Sequence, residues 1–147
     1  VNFGWPYCAG DGNGVNISTI ASDCTHAQEP AFSFPSKSQP LGVASYSSET
    51  FPKLKDTLLV VLAGARENVN MVGYRLVAVF FDEAGNPIGA YDVVPNDDHY
   101  GLLTNAKQVN YHGFGFWPHR PIDVAVSVEG WIYLSVGGGR IIALRPV

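Results

Sequence analysis

The stretch Thr57-Leu58-Leu59-Val60-Val61-Leu62-Ala63 decides the fold class, because six of its seven residues are apolar. A continuous apolar run of this length is typical of a strand buried on both faces. Before it, residues 40–46 are rich in β-forming side chains; after it, residues 74–81 have the composition of another strand. A turn over 82–87 and a return over 88–94 complete a hairpin. Four consecutive strands are therefore predicted.

A second group of strands is predicted over 122–126, 131–135 and 140–144, with Gly-containing turns between them. The 16 Gly and 10 Pro in 147 residues suit short strands and turns, and no window shows a helical apolar stripe. The chain is therefore predicted to be all-β. Four-stranded meanders in series are typical of β-propeller blades, so we expect about two blades of a larger propeller, the last of them lacking one strand.

The predicted organisation is a single partial propeller domain over 1–147. Residues 1–39 form a loop segment that a disulfide staples, and 40–94 form the four-stranded blade. Residues 95–119 are a long loop, and 120–147 form the last blade without its fourth strand.

The composition excludes several classes of partner. Nine Lys and Arg against thirteen Asp and Glu give a net charge of −4, with no basic stripe for nucleic acid. No uninterrupted apolar run is longer than that of 58–63, which is far short of the roughly 20 residues that cross a bilayer. We therefore expect neither nucleic-acid binding nor a membrane span.

Three features of the first 24 residues predict secretion. The chain begins with Val1, so we expect either that a signal or pro-segment was removed or that the chain is a fragment. Cys8 and Cys24 can close a disulfide loop worth about 3 kcal/mol, and Asn16-Ile17-Ser18 in that loop is a glycosylation sequon. The alternative is two free thiols and an unused sequon.

Four motifs follow one another along the chain. They are Asn2-Phe3-Gly4-Trp5-Pro6-Tyr7-Cys8, Pro40-Leu41-Gly42-Val43, Gly73-Tyr74-Arg75-Leu76-Val77, and Arg120-Pro121-Ile122-Asp123-Val124-Ala125-Val126 with Ile132-Tyr133-Leu134-Ser135. In the same order, they resemble the N-Y-G-W-P-Y-C signature, the P-L-G element, the G-Y-K-V-V strand and the R-P-V-D-V-A-V…L-Y-V-S block of glucose/sorbosone dehydrogenase-like quinoproteins.

The resemblance implies a six-bladed propeller that binds pyrroloquinoline quinone (PQQ) and calcium and oxidises a sugar at its anomeric carbon. It covers only the C-terminal portion, about two blades and the entry loop. The family's catalytic histidine lies in the blades before this portion. The resemblance therefore implies a chain that is not catalytic in isolation, and no catalytic residue or metal ligand is assigned to it.

The sequence departs from the family where its site residues would lie. Lys37 occupies a histidine position, only Gly64 is retained from an H-G-S-W-N-R pattern, and Val136-Gly137 replaces a pair of aspartates. The alternative function is therefore a non-catalytic, secreted, propeller-derived module with a role in binding, structure or assembly.

By the family register, Arg120, Arg66 and Lys37 fall at or near blade ends. PQQ carries three carboxylates, and a guanidinium binds a carboxylate through two parallel hydrogen bonds. These three cations are the candidate cofactor-binding residues, with Arg120 the strongest because its R-P-x-D context is intact. The alternative is that each is a surface charge or a residue that ties blades together.

The aromatic stretch 111–117 has two interpretations. Aromatic side chains on a Gly-containing loop can stack against a sugar, or Phe114, Phe116 and Trp117 can fill the gap between blades. We favour the second, because apolar aromatics in propellers usually pack there.

Two blades leave sheet faces without neighbouring blades, and we expect apolar strands such as 58–63 to be exposed on them. The expected partner is therefore the remainder of the propeller, another protein chain, or further copies of this one.

Overall fold

The computed structural model describes Phe3, Cys24, Phe116 and residues 27–65, 73–94 and 119–146. The chain divides into two compact units, 1–33 and 34–147. In the first unit, Ala27 donates its backbone N–H to the carbonyl of Cys24 at 3.0 Å. All the strands described below belong to the second unit.

The first sheet has the order β1-β2-β3-β4 and is antiparallel throughout. Its strands are β1 (Pro40–Tyr46), β2 (Thr57–Leu62), β3 (Arg75–Phe81) and β4 (Pro87–Val94). A single 3-10 turn, Pro52–Leu54, lies between β1 and β2.

The second sheet has the order β5-β6-β7, also antiparallel. Its strands are β5 (Pro121–Val126), β6 (Ile132–Val136) and β7 (Arg140–Leu144). The prediction of an all-β chain with four strands and then three is confirmed, and each strand begins and ends within one residue of its predicted bounds. The two meanders are consistent with partial propeller blades.

The core contains apolar side chains from both sheets. Because side chains alternate between the two faces of a strand, every second residue of β2 and β3 belongs to one face. The cluster includes Leu59, Val61, Leu76 and Ala78 from the first sheet and Val124, Ile132, Leu134, Val136 and Leu144 from the second.

Phe116 is fully buried in the same cluster and donates its backbone N–H to the carbonyl of Tyr74 at 2.7 Å. The prediction that aromatic residues of this loop pack between blades is confirmed for Phe116. Phe114 and Trp117 lie outside the described residues.

The expectation that 58–63 would be exposed is wrong. Leu59 to Ala63 are all buried within the chain. Because β2 is flanked by β1 and β3 and its inner face joins the core, the strand is covered without a second polypeptide. Exposed apolar side chains occur elsewhere on both sheets, as at Leu41 and Ile88 of the first sheet and at Ile122 and Ile141 of the second, which are 50% and 68% exposed.

The two sheets approach each other most closely where β1 passes β5. A Cβ added to Gly42 would lie 2.5 Å from the Cα of Asp123 and 2.9 Å from the backbone nitrogen of Val124. Only a residue without a side chain allows this approach, which places the first strands of the two sheets side by side.

We call the end of the sheets at which β1 and β5 begin the upper end, and the opposite end the lower end. At the lower end, the phenol of Tyr46 donates to the carbonyl of Gly130 at 2.8 Å and accepts the backbone N–H of Phe51 at 3.1 Å. Thr50 donates its hydroxyl to the carbonyl of Glu129 at 2.6 Å. Burial raises the pKa of Tyr46, against the smaller effect of hydrogen bonds with Ser48 and Phe51.

The β3–β4 turn is organised by Asp82. One carboxylate oxygen accepts the backbone N–H groups of Ala84 and Asn86 at 3.0 and 2.7 Å, and the other accepts the side-chain amide of Asn86 at 3.1 Å. The backbone N–H and side chain of Asn86 contribute most to holding the pKa of Asp82 below its ordinary value. This geometry is that of an Asx turn.

Candidate functional site at the upper end of the sheets

Arg120 connects the two sheets at the upper end. It immediately precedes β5, and its Nη2 donates to Gln39 Oε1 at 2.9 Å and to the carbonyl oxygen of Gly64. Its own carbonyl accepts the backbone N–H of Gly137 at 2.7 Å, which joins it to the β6–β7 turn. One residue therefore holds together the start of β1, the end of β2 and the start of β5.

The acceptors of Arg120 are positioned by backbone pairing beyond the ends of β1 and β2. Ala63 donates to the carbonyl of Gln39 at 2.9 Å, and Gly64 donates to the carbonyl of Ser38 at 2.8 Å. Gly64 has a φ of 71°, in the left-handed region that glycine adopts without a steric penalty. A Cβ on Gly73 would lie 2.5 Å from the nitrogen of Gly64, so two glycines meet at this point.

A pocket of about 370 Å³ lies beside Arg120. Among the described residues, no acidic side chain lines it, and at its edge Nη1 of Arg140 donates to Nε2 of His119 at 3.2 Å. Its lining consists of Leu41, Ala63, His119, Arg120, Pro121, Ile122, Gly137 and Gly138. The positive charge and the concave shape suit a small anion better than a cation.

The guanidinium of Arg120 is poorly arranged for a carboxylate of PQQ. Both bidentate modes of a guanidinium use Nη2, whose two hydrogens here face the oxygens of Gln39 and Gly64. The Nε of Arg120 is buried, and within the described part of the chain it has no hydrogen-bond partner. The described residues therefore do not by themselves fit a group with three carboxylates.

The other predicted site residues are not brought to Arg120 by any described contact. Lys37 is exposed at a turn with a φ of 70° and does not line the pocket. Arg66, Cys8 and Asn16 lie outside the described residues. Cys24 is disulfide-bonded, but since Cys8 is not described, the Cys8–Cys24 pairing stays a prediction.

The described residues contain neither a cluster of metal ligands nor a helix that could span a membrane. Over 27–65, 73–94, 119–146 and the isolated described positions, no three His, Cys, Asp or Glu side chains are grouped to hold a metal ion. In the same residues, no helix has the length and apolar character needed to cross a membrane.

The partners of Arg120 were not identified by the sequence reasoning. Gln39 carries no motif, whereas Gly64 is the one position retained from the H-G-S-W-N-R pattern. The retained Gly64 could have indicated a close backbone contact at this position, because its positive φ and its contact with Gly73 both exclude a side chain.

The fold of this chain is similar to parts of longer proteins of known structure. No protein-family model matches the sequence, and no curated protein matches it. A calcium structure of a Trichoderma reesei carbohydrate-active enzyme of family AA12 matches with a TM-score of 0.68 and 18% identity, over 99% of this chain and 38% of that one.

Two further solved structures agree. An iodide structure of a Trichoderma reesei family AA12 enzyme matches with a TM-score of 0.61 and 18% identity, over 91% of this chain and 32% of that one. A glucose dehydrogenase matches with a TM-score of 0.59 and 15% identity, over 99% and 35%. The chain thus spans about a third of each neighbour's length, and the likeness concerns the fold.

Proposed function

We propose that this chain is the C-terminal part of a secreted, PQQ-dependent sugar dehydrogenase-like protein and is not catalytic in isolation. The observation that carries the proposal is a fold match over 99% of the chain, with a TM-score of 0.68, to a carbohydrate-active enzyme. The glucose dehydrogenase among the neighbours and the four motifs in the family's order support the same origin.

Within this proposal, Arg120 has a structural role. Its Nη2 joins the two sheets, so a quinone with calcium would have to be held by Arg66, Lys37 or groups from the rest of the protein. We therefore assign no catalytic step to the described residues.

A second candidate function is a non-catalytic secreted module with a binding, structural or assembly role. The position of Arg120 between the two sheets favours it, because the Nη2 donors of this residue are already paired with Gln39 and Gly64 and contribute to the architecture. The replacement of a family histidine by the exposed Lys37 favours it too.

Calorimetric titration of PQQ with calcium distinguishes the two functions. We expect the chain of residues 1–147 alone to bind no quinone, and the complete native assembly to bind it. Because Arg120 acts as a tie, Arg120→Ala should lower the melting temperature of the isolated chain. Absence of binding to the complete assembly would refute the dehydrogenase origin. Tight binding to the isolated chain, abolished in Arg120→Ala, would refute the structural role of Arg120.

The proposed partner is the remainder of the propeller, another chain, or further copies of this one. Ile122 and Ile141 are exposed on the second sheet, and β7 pairs only with β6 among the described strands. An open, partly apolar edge is a surface that other strands can cover. A monodisperse monomer by light scattering at micromolar concentration would contradict this proposal.

A further inference from the structure

The pocket beside Arg120 takes its described lining from both sheets, at their upper end. Its volume of about 370 Å³ falls within the roughly 300–1,000 Å³ typical of small-molecule sites. Every described lining residue lies within two positions of the end of a strand. The pocket therefore belongs to the end of the sheets and not to the outer face of either one.

Two guanidinium charges at this pocket have no acidic partner among the described residues. The Nη2 of Arg120 donates to Gln39 Oε1 at 2.9 Å and to the carbonyl oxygen of Gly64, and both acceptors are neutral. Arg140, at the edge of the pocket, donates to the ring of His119 and takes part in neither ion pair of the described residues. A concave site with two uncompensated positive charges attracts an anion.

His119 supplies a third donor at the pocket. A guanidinium can only donate, so the Nε2 of His119 accepts from Arg140 and the ring hydrogen is on Nδ1. Nδ1 lies 3.6 Å from the position that a Cβ on Gly138 would take, and Gly138 lines the pocket. The hydrogen-bond donors therefore belong to three separate side chains, those of His119, Arg120 and Arg140.

We propose that this pocket binds the phosphate group of a small phosphate monoester. Near pH 7 a phosphate monoester carries a charge of about −1.5 to −2, which matches two guanidinium groups better than the single charge of a carboxylate does. The tetrahedral oxygens of a phosphate accept hydrogen bonds from donors on separate side chains. A carboxylate gains most from one planar fork, for which the Nη2 of Arg120 is not free. Leu41 and Ile122, 57% and 50% exposed in the lining, would contact the organic part of the ester.

The test uses the intact protein and phenyl phosphate as the probe, at an ionic strength of about 0.1 M. The probe is neither a quinone nor a sugar, so its binding does not depend on the proposed dehydrogenase origin. We expect saturable amide chemical-shift changes at Gly137 and Gly138, with a dissociation constant of about 1 mM. Benzoate, which carries a carboxylate on the same ring, should bind about tenfold more weakly. Inorganic phosphate should also bind more weakly than the ester, because it lacks the apolar contacts.

Two arginine variants of β7 locate the site. Arg140→Gln removes the charge of an exposed side chain but keeps an amide that can donate to His119, and it should weaken binding of phenyl phosphate by about tenfold or more. Arg145→Gln is the matched control, since Arg145 follows the last residue of β7 and its guanidinium lies over the ring of Trp131, 6.0 Å from the centroid. Five extended residues separate the two arginines by about 16 Å, beyond the screening length of about 10 Å, so Arg145→Gln should bind as the wild type does.

Circular dichroism and melting curves establish that each variant is folded. The proposal is overturned if phenyl phosphate causes no saturable shifts at Gly137 and Gly138, or if Arg140→Gln binds it as tightly as the wild type does. Equal weakening in Arg145→Gln would show that the probe responds only to net charge and would equally overturn the site. Binding of benzoate or of inorganic phosphate as tight as that of phenyl phosphate would overturn the assignment to a phosphate monoester.

Discussion

Replacing Tyr46 by Phe tests the hydrogen bonds that join the two sheets at their lower end. The phenol donates to the carbonyl of Gly130 and accepts the N–H of Phe51, and all three residues are buried. Phe keeps the ring and its tilted packing against Phe51, whose centroid is 6.2 Å away. The substitution therefore removes two hydrogen bonds and leaves the core otherwise unchanged.

The expected loss of stability follows from the two backbone groups left unpaired, the carbonyl of Gly130 and the N–H of Phe51. A buried polar group that loses its partner costs about 1–3 kcal/mol, and no longer burying the hydroxyl itself returns part of that cost. A net loss of about 2–3 kcal/mol in the free energy of unfolding is expected. At about 3 °C per kcal/mol for a chain of this size, the melting temperature should fall by about 6–9 °C.

Differential scanning calorimetry at neutral pH measures this change, with Tyr133→Phe as the control. Tyr133 is a partly exposed tyrosine of the second sheet, and its variant should melt within about 2 °C of the wild type. If Tyr46→Phe melts as the wild type does, the hydrogen bonds at Gly130 and Phe51 do not stabilise the junction and the reasoning is refuted.

The raised pKa of Tyr46 adds a pH dependence to the same experiment. A phenol whose pKa is higher in the folded state contributes stability that is complete below its ordinary value of about 10. That contribution is lost as the pH rises through the raised pKa, since the phenolate cannot donate to Gly130. Tyr46→Phe lacks this alkaline component, so the two melting curves should converge at high pH.

Three other substitutions or treatments give separate predictions. Gly42→Ala should destabilise the chain by about 1–3 kcal/mol by overpacking β1 against β5, while Gly89→Ala, whose Cβ has ordinary contacts, should not; chemical denaturation compares them. Because the pKa of Asp82 is lowered in the folded state, its carboxylate stabilises the fold at pH values above its ordinary pKa of about 3.9. This stabilisation is lost as the pH falls through the lowered pKa. The melting difference between Asp82→Ala and wild type should therefore close in acid, and a difference independent of pH would contradict it. Alkylation without reductant should label neither Cys8 nor Cys24. Labelling of both would contradict the predicted disulfide and weaken the proposal of secretion.

The strands were predictable because their signals are local. A continuous apolar run marks β2, and alternation marks β5 and β6, so every strand boundary is recovered to within a residue. The packing of Phe116 was predictable for a similar reason, since a large apolar side chain between two blade sequences has few other places to be buried.

The candidate site was only partly predictable. Arg120 was singled out by its motif, yet its partners Gly64 and Gln39 lie 56 and 81 positions away in sequence. A motif shows that a cation is present at a blade end, but not whether its donors are already paired. The donors of Arg120 are paired because the end of β2 lies close to the start of β5, so that this residue connects the two sheets.

The same division holds for the whole molecule. Local patterns are sufficient to predict the all-β class, the grouping of four strands and then three, and the turns, because side-chain alternation and turn chemistry act over a few residues. Which groups meet depends on the three-dimensional fold: the Tyr46 phenol meets the Gly130 carbonyl across 84 positions, and Arg75 meets Asp92 on one sheet face. Such pairs depend on strand register and on contacts between sheets, and both are set by packing of the whole chain, which no local pattern encodes.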